Sequence, residues 1–464
     1  MTTLAAFLLT LAVLIVVHEW GHYKMARLCG VKVLRFSVGF GRPIWQRKSG
    51  DTEFVVAMLP LGGYVRMLDE REDTVLPHER GQAFNHKSLA QRAAIVAAGP
   101  LANLVLAVAL YAVANWIGVE EPRAVLSAPA TGSLAERAGL RSGDEVRAWA
   151  REGSEPAGVG AASAEWTDLR SMTDLRWQIM QAALDGQRLR LMVATAGGHG
   201  ARQATLELDR ADRGSIDGSF IDSVVGLGAP YTPAVLGDVM AGGPAERAGL
   251  RRGDTVLRVD GVPIADAQQL RRRIRTLDGA GQPVAMSWQL ERAGQVIELP
   301  VQPRLLVDGR QRVGRIDAVI GRLPPLVTVR LGPWEGLARG AALTWEQSTL
   351  TLKMFGRMLT GEASLKNLSG PITIADYAGQ SVERGLAYYI GFLALVSVGL
   401  GVLNLLPVPL LDGGHLMYYL FEAVTGRPVS DLWLRWLQRG GALALLLLMS
   451  LALSNDVARL LGLQ

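Results

Sequence analysis

The sequence has one cysteine, Cys29, in 464 residues. A lone thiol excludes a disulfide scaffold, and it excludes zinc fingers and iron-sulfur clusters built on cysteine, because each needs two or more thiolates. Histidine is scarce too, with six in the chain, so any metal site must draw on a few imidazoles and carboxylates. Charge is short as well: Asp, Glu, Lys and Arg make up 20% of residues, below the roughly 25% usual in soluble domains. The formal charge of +5 is spread along the chain with no basic tract and no aromatic-interleaved patch, which argues against nucleic acid as a partner. In place of charge stand apolar residues, 49% of the total, with a mean hydropathy of +0.20. That composition excludes a disordered chain, a collagen and a coiled coil. Length alone would allow about three domains at roughly 150 residues each, unless part of the chain lies in lipid.

The apolar residues are gathered into runs. Residues 93–118 and 386–411 carry no charge, and each exceeds the roughly 20 residues that cross a hydrocarbon core about 30 Å thick. Residues 2–17 form a third run that continues into His18-Glu19-Trp20-Gly21-His22, and residues 441–455 form a fourth, rich in leucine. Four crossings of the bilayer are expected. A cleaved signal peptide is the alternative for the first run, but no basic region precedes it and no Ala-x-Ala site follows it. Residues 24–92 include Lys24, Arg27, Lys32 and Arg35, and the loop before the last run includes Arg427, Arg435 and Arg439. The positive-inside rule assigns both loops to the cytoplasm. Both termini and the long segment 119–385 then lie on the other side, the periplasm of a bacterium.

Within that segment, LAERAGLRSGDEV from Leu134 and PAERAGLRRGDTV from Pro244 agree at ten of thirteen positions, the mark of a duplicated module. Ala-Gly-Leu-x-x-Gly-Asp reads as a helix stopped at Gly139 or Gly249, then a turn at Gly143-Asp144 or Gly253-Asp254 that feeds a strand. The phrase resembles the PDZ domains of bacterial proteases. Such domains add an extended peptide, often a C-terminus, to a sheet edge; the competing reading is that they only obstruct access. Val225-Gly226-Leu227-Gly228 is the candidate carboxylate-binding loop of the second copy.

His18-Glu19-Trp20-Gly21-His22 is an H-E-x-x-H motif. Residues four apart share a helix face, so both imidazoles can reach one ion while Glu19 lies close enough to handle an attacking water. Ionisable groups at the end of an apolar span are costly unless they face a protein interior or a wet cavity, and such groups are functional by default. The bland alternative is two interfacial histidines and a snorkelling Glu19. Catalytic zinc takes three protein ligands and keeps a position open, so a third ligand must come from elsewhere. The third span ends in Asn404-Leu405-Leu406-Pro407-Val408-Pro409-Leu410-Leu411-Asp412-Gly413-Gly414-His415, and Asp412 is the only carboxylate between Glu383 and Glu422. Asp412 is therefore the candidate, with helix capping as its alternative role. His415 competes as a ligand and is read as a supporting or structural residue.

H-E-x-x-H in the first span, N-x-x-P-x-P-x-L-D-G in the third and PDZ-like modules between the second and third together resemble the site-2 protease family of intramembrane zinc proteases. Gly99-Pro100-Leu101-Ala102-Asn103 and Leu365-Lys366-Asn367-Leu368-Ser369-Gly370-Pro371-Ile372 fit its bacterial members as well. The resemblance implies that His18, His22 and Asp412 hold one Zn²⁺, that Glu19 is the general base, and that Asn404, Pro407 and Pro409 bind the unwound substrate. For Asn404 helix packing is the alternative, and Gly99 and Asn103 read as close-packing residues. It also implies a membrane-re-entrant β-loop, seen as a hairpin-like pattern over residues 36–67.

The expected fold is thus a polytopic α-helical membrane protein with two α+β PDZ domains inserted between its second and third helices. Its order is helix 1 (1–28), a cytoplasmic or re-entrant β-loop region (29–92), helix 2 (93–118), PDZ domain 1 (119–220), PDZ domain 2 (221–310), a periplasmic amphipathic linker (311–385) whose residues 337–378 are expected to lie on the surface and gate entry, helix 3 (386–412), a cytoplasmic loop (413–439) and helix 4 (440–460). The function implied is an endopeptidase of the bacterial inner membrane. It would make the second cut in a single-span protein such as an anti-sigma factor, after a site-1 protease has trimmed its outer domain, or clear leftover signal peptides. The lipid bilayer and a peptide C-terminus at the PDZ modules are the other expected partners. A PDZ adaptor with a vestigial metal site and a metal transporter are the competing classes; transporters usually repeat their membrane segments, and here the repeat is in the soluble part.

Overall fold

The computed structural model describes residues 2–71, 74–152, 166–195, 200–210, 220–308, 311–360 and 370–460. The chain divides into two compact units, one made of Met1–Val119 with Arg330–Gln464 and the other of Glu120–Val329.

In the first unit, helix α1 (Thr2–Leu28) carries the His-Glu motif on its last turns. Strands β1 (Val33–Ser49) and β2 (Thr52–Met67) follow as an antiparallel pair. Both are long enough to fold back on themselves: Phe36 pairs with Phe54 on one side and with Val65 on the other, while Trp45 pairs with Val56. The strand order is therefore 63–67, 33–38, 53–57, 43–49, and residues 63–67 have a strand neighbour on one side only among the described residues. Helix α2 (Leu89–Ile117) opens with a reciprocal capping box, in which Ser88 accepts from the Gln91 amide and the Gln91 side chain from that of Ser88; this satisfies two of the orphan donors of a helix start. Pro100 inside α2 removes one amide donor from the helix ladder.

The second unit opens on a short strand, β3 (Val119–Pro122). Its first module comprises α3 (Leu134–Arg137), β4 (Glu145–Glu152), β5 (Thr167–Asp168), α4 (Met172–Asp185), β6 (Arg188–Ala194) and β7 (Ala201–Leu206). These strands form a sheet in the order β5-β4-β6-β7. The second module comprises β8 (Leu236–Val239), α5 (Pro244–Arg247), β9 (Thr255–Val259), β10 (Val262–Pro263), α6 (Ala267–Arg275), β11 (Met286–Arg292), β12 (Gln295–Val301), the hairpin β13 (Arg304–Asp308) and β14 (Gln311–Arg315), and β15 (Ala318–Ile320), before β16 (Leu326–Val329). Its main sheet runs β10-β9-β11-β12, the same order built from the same succession of elements, so the sequence repeat is a repeat of structure. Each copy has its own core, around Leu175, Ile179, Leu189, Leu191 and Phe220 in the first and around Leu236, Leu270, Trp288 and Leu290 in the second.

One expectation is corrected. Val225 and Leu227 are buried in the first module's core, not the second's, so the loop Val225–Gly228 belongs to the first copy, and that copy extends past 220. The chain order within each module explains the slip: the residues that complete one copy directly precede the repeat phrase of the next.

In the first unit, α7 (Pro333–Leu359) packs on α2. Gly336 and Gly340 allow this, since a Cβ at either would meet Trp116 or the Val108 carbonyl within 2.6 Å. Helix α8 (Pro371–Arg384) and α9 (Leu386–Leu405) follow; residues 361–369 of the expected linker, including Leu365–Ser369, lie outside the described residues. The stretch expected as a loop at 413–439 instead holds helix α10 (Asp412–Thr425) and the start of α11 (Asp431–Leu460). Helices α1, α2, α9 and α11 are long and apolar enough to cross a membrane. Their outward residues, such as Val105 and Leu443, are exposed, as lipid-facing side chains must be.

Candidate metal centre

Four-residue spacing on α1 brings His18 and His22 to one face, with their Nε2 atoms 3.3 Å apart. The chain returns to them far away in sequence. Helix α9 ends at Leu405, and Leu406 to Leu411 form a tight turn in which Leu410 takes a φ of +79°, a conformation costly for a side chain with a Cβ and found mostly where the surroundings impose it. Gly413 and Gly414 follow because nothing larger fits: a Cβ would come within 2.1 Å of the Leu406 carbonyl and 2.5 Å of the Val408 carbonyl respectively. This turn delivers Asp412, whose Oδ2 lies 3.2 Å from His18 Nε2 and 3.6 Å from His22 Nε2.

The three atoms form a near-equilateral triangle. A tetrahedral zinc ion with bonds of about 2.0–2.2 Å spaces its ligands by about 3.4 Å, so the observed edges of 3.3, 3.2 and 3.6 Å fit one such ion. Two imidazoles and one carboxylate are also a donor set that suits zinc. Among the described residues this is the one group of three such ligands.

The ring nitrogens that point away from the triangle are held by α2. His22 Nδ1 lies 2.9 Å from the Ile95 carbonyl oxygen, and His18 Nδ1 lies 3.3 Å from Nδ2 of Asn103. Gly99, between them, receives the His22 ring: a Cβ there would lie 2.2 Å from Nε2. Gly21 lets the two helices meet, since its Cβ would strike the Ala98 carbonyl at 2.4 Å. Gly99 and Asn103 thus do more than the packing their residue types suggest. The signal was an asparagine four residues from a glycine in an apolar span, and only the crossing of α1 over α2 gives it meaning.

Glu19 sits beside the triangle, and its Cγ would be 2.8 Å from a Cβ on Gly63, so the edge strand 63–67 presses directly against it. Glu19, Asn404 and Gly63–Met67 line a cavity of about 1060 Å³ with His18, His22 and Asp412. Pro407 is exposed and Pro409 half-buried in the turn before Asp412, and neither lines the cavity. His415 lines it without joining the triangle; its ring stacks edge-on against Tyr418 at 5.9 Å, and burial pushes its imidazole below the usual value. Arg92 also lines the cavity, paired with Glu422 at 2.6 Å and set over the Tyr419 ring.

Residues 6–448 match the model of peptidase family M50. A protein of Ralstonia nicotianae bearing the name of a zinc metalloprotease is 42% identical over 99% of each chain. The regulator of sigma-E protease RseP of Salmonella typhimurium and that of Escherichia coli are each 38% identical over 98% of each chain.

Proposed function

The chain belongs to peptidase family M50 and is a zinc metalloprotease with several apolar membrane helices, and from that premise we propose that it cuts within the membrane-spanning segment of single-span proteins. The observation that carries this reading is the His18–His22–Asp412 triangle, set at the ends of two apolar spans rather than in a soluble domain.

In this reading His18, His22 and Asp412 hold one zinc ion. When bound, zinc lowers the pKa of a coordinated water toward about 7 and polarises a carbonyl oxygen. Glu19 takes the proton of the attacking water and passes it to the departing amine. A peptide bond inside a helix is shielded by its own hydrogen bonds, so the substrate must be unwound first. Residues 63–67 offer the receiving edge: among the described residues they pair with one strand, 33–38, and they lie along the cavity wall, a placement that suits an added strand. Asn404, which also lines the cavity, donates or accepts at the unwound stretch, and Pro407 and Pro409 free backbone carbonyls in the turn beside it.

The relatives named for sigma-E support an anti-sigma factor as substrate, cut second after a site-1 protease has removed its outer domain. The basic loops support an inner-membrane orientation with the hairpin facing the cytoplasm and both termini and the duplicated modules periplasmic. We read those modules as tandem PDZ domains that exclude untrimmed substrates or bind a new C-terminus.

The test is cleavage of a pre-trimmed single-span substrate in detergent by wild type and Glu19→Gln, with zinc assayed in both. We expect the variant to keep its zinc and lose at least about 10²-fold in rate. A variant that cuts at the wild-type rate would remove Glu19 from the reaction.

A further inference from the structure

Helix α2 presents three consecutive positions at four-residue spacing, Ile95, Gly99 and Asn103, to the metal-binding face of α1. Such positions share one side of a helix. The Ile95 carbonyl faces His22 Nδ1, Gly99 makes room for the His22 ring, and Asn103 faces His18 Nδ1. A carbonyl can only accept, so His22 Nδ1 must carry its proton, leaving Nε2 with the lone pair that faces the triangle. By symmetry of role, His18 needs the same tautomer, because its Nε2 also converges on Asp412 and His22 Nε2.

With that proton on His18 Nδ1, an Asn103 amide nitrogen at 3.3 Å would set donor against donor, while Asn103 Oδ1, buried, has no partner among the described residues. Amide oxygen and nitrogen have nearly the same shape, and their assignment follows from the hydrogen-bond network. Turning the amide end for end leaves one unpartnered group either way. It also replaces the donor-donor conflict with a hydrogen bond from Nδ1–H to Oδ1. Asn103 is pinned where it stands, because it is fully buried and its own backbone carbonyl accepts from Ser397 Oγ at 2.7 Å. Ser397 belongs to α9, the helix that leads to Asp412.

We propose that Asn103 is a positioning residue of the metal centre, whose side-chain carbonyl holds His18 in the tautomer and ring orientation that present Nε2 to the ion. The inference rests on the zinc reading above. Partners of this kind on metal-binding histidines typically contribute about 10- to 100-fold in metal affinity.

The full-length protein is purified as wild type, Asn103→Leu, which keeps the volume and removes the acceptor, and Asn103→Asp, which keeps a carbonyl acceptor. Zinc affinity is measured by competition with a graded chelator, the Co²⁺-loaded forms are compared by visible absorption, and the Tm of the metal-stripped forms is recorded. We expect Asn103→Leu to lose about 10- to 100-fold in zinc affinity with an altered cobalt spectrum. Asn103→Asp should keep a cobalt spectrum and zinc affinity close to wild type, and metal-stripped Asn103→Leu should melt with the metal-stripped wild type, whereas the added buried carboxyl of Asn103→Asp lowers its metal-free Tm. Wild-type affinity and spectrum in Asn103→Leu would overturn the proposal. So would equal losses in the leucine and aspartate variants, which would make Asn103 a packing residue. His22→Ala separates the two readings: zinc retained in that variant would mean the metal site itself is misassigned, whereas its loss alongside an unchanged Asn103→Leu sinks this inference alone.

Discussion

At the scale of single residues, the centre depends on side chains that are missing as much as on those present. Gly99 has no Cβ, and the one it would gain as alanine lies 2.2 Å from His22 Nε2. Either the ring or the α1–α2 contact must move. Displacement of a reacting group by about 1 Å costs on the order of 10²-fold in rate. We therefore expect Gly99→Ala to lose zinc or at least that much activity, while Gly391→Ala, whose Cβ meets nothing within 4 Å, stays at wild-type level; zinc content and cleavage rate of the two variants check this. The sequence exposes His18, Glu19 and His22 because their spacing is rare and their setting apolar, and it exposes Asp412 because no other carboxylate is near. It hides Gly99 and Asn103, since a glycine and an asparagine in a span of small residues look the same whether they pack helices or hold an imidazole.

At the scale of elements, the spans are legible because a bilayer imposes a length that soluble helices rarely meet, and the duplicated module is legible because its turn phrase repeats. Helices α7 and α10 are not, because each borders a span or a glycine-rich stretch, and their apolar faces blend into the general hydropathy. The start of α8 was hidden for a different reason. It has no cap of its own: Asp456, from α11, accepts from the amides of Gly370, Ile372 and Thr373 at 2.9 to 3.2 Å and from the Thr373 hydroxyl at 2.5 Å. Gly370 is required there, since its Cβ would lie 2.5 Å from Asp456 Oδ2. Leaving buried donors unsatisfied costs about 1–3 kcal/mol. Asp456→Ala is thus expected to raise hydrogen exchange at the amides of residues 370–374 by about 5- to 150-fold, with little change in α2; unchanged protection at α8 would show that the cap contributes nothing.

At the scale of the whole molecule, metal bears on one of the two units and acid on both. The three residues proposed to hold zinc all lie in the first unit, so metal removal is expected to withdraw ligand stabilisation from that unit. Acid reaches both: partners hold Asp69 and Glu79 of the first unit below their ordinary values, and the second unit has paired aspartates of its own. There each repeat closes its Gly-Asp turn with a buried aspartate clasped by an arginine that also donates to the glycine carbonyl ahead of it: Asp144 with Arg202 and Gly139, Asp254 with Arg292 and Gly249. Burial alone pushes the Asp254 carboxyl up, but hydrogen bonds from Arg292 and from the Arg251 amide outweigh it and hold the group below the ordinary value. In the same module Arg304, with Arg315, holds Asp317 low. For groups depressed in the folded state the unfolded chain takes up protons first, so their stabilisation is complete above the unfolded value of about 3.9 and is lost as pH falls through the lower folded values. The second module is expected to be stable from neutral pH down to about 4 and to lose stability steeply below it. Hydrogen exchange of β9 and β11 in the intact protein, followed against pH, measures that slope. Asp254→Asn should lower stability at neutral pH, because it leaves Arg292 without its charge partner, and should flatten the acid slope. An acid slope in that variant as steep as in wild type would mean that Asp254 does not set the acid stability of the fold.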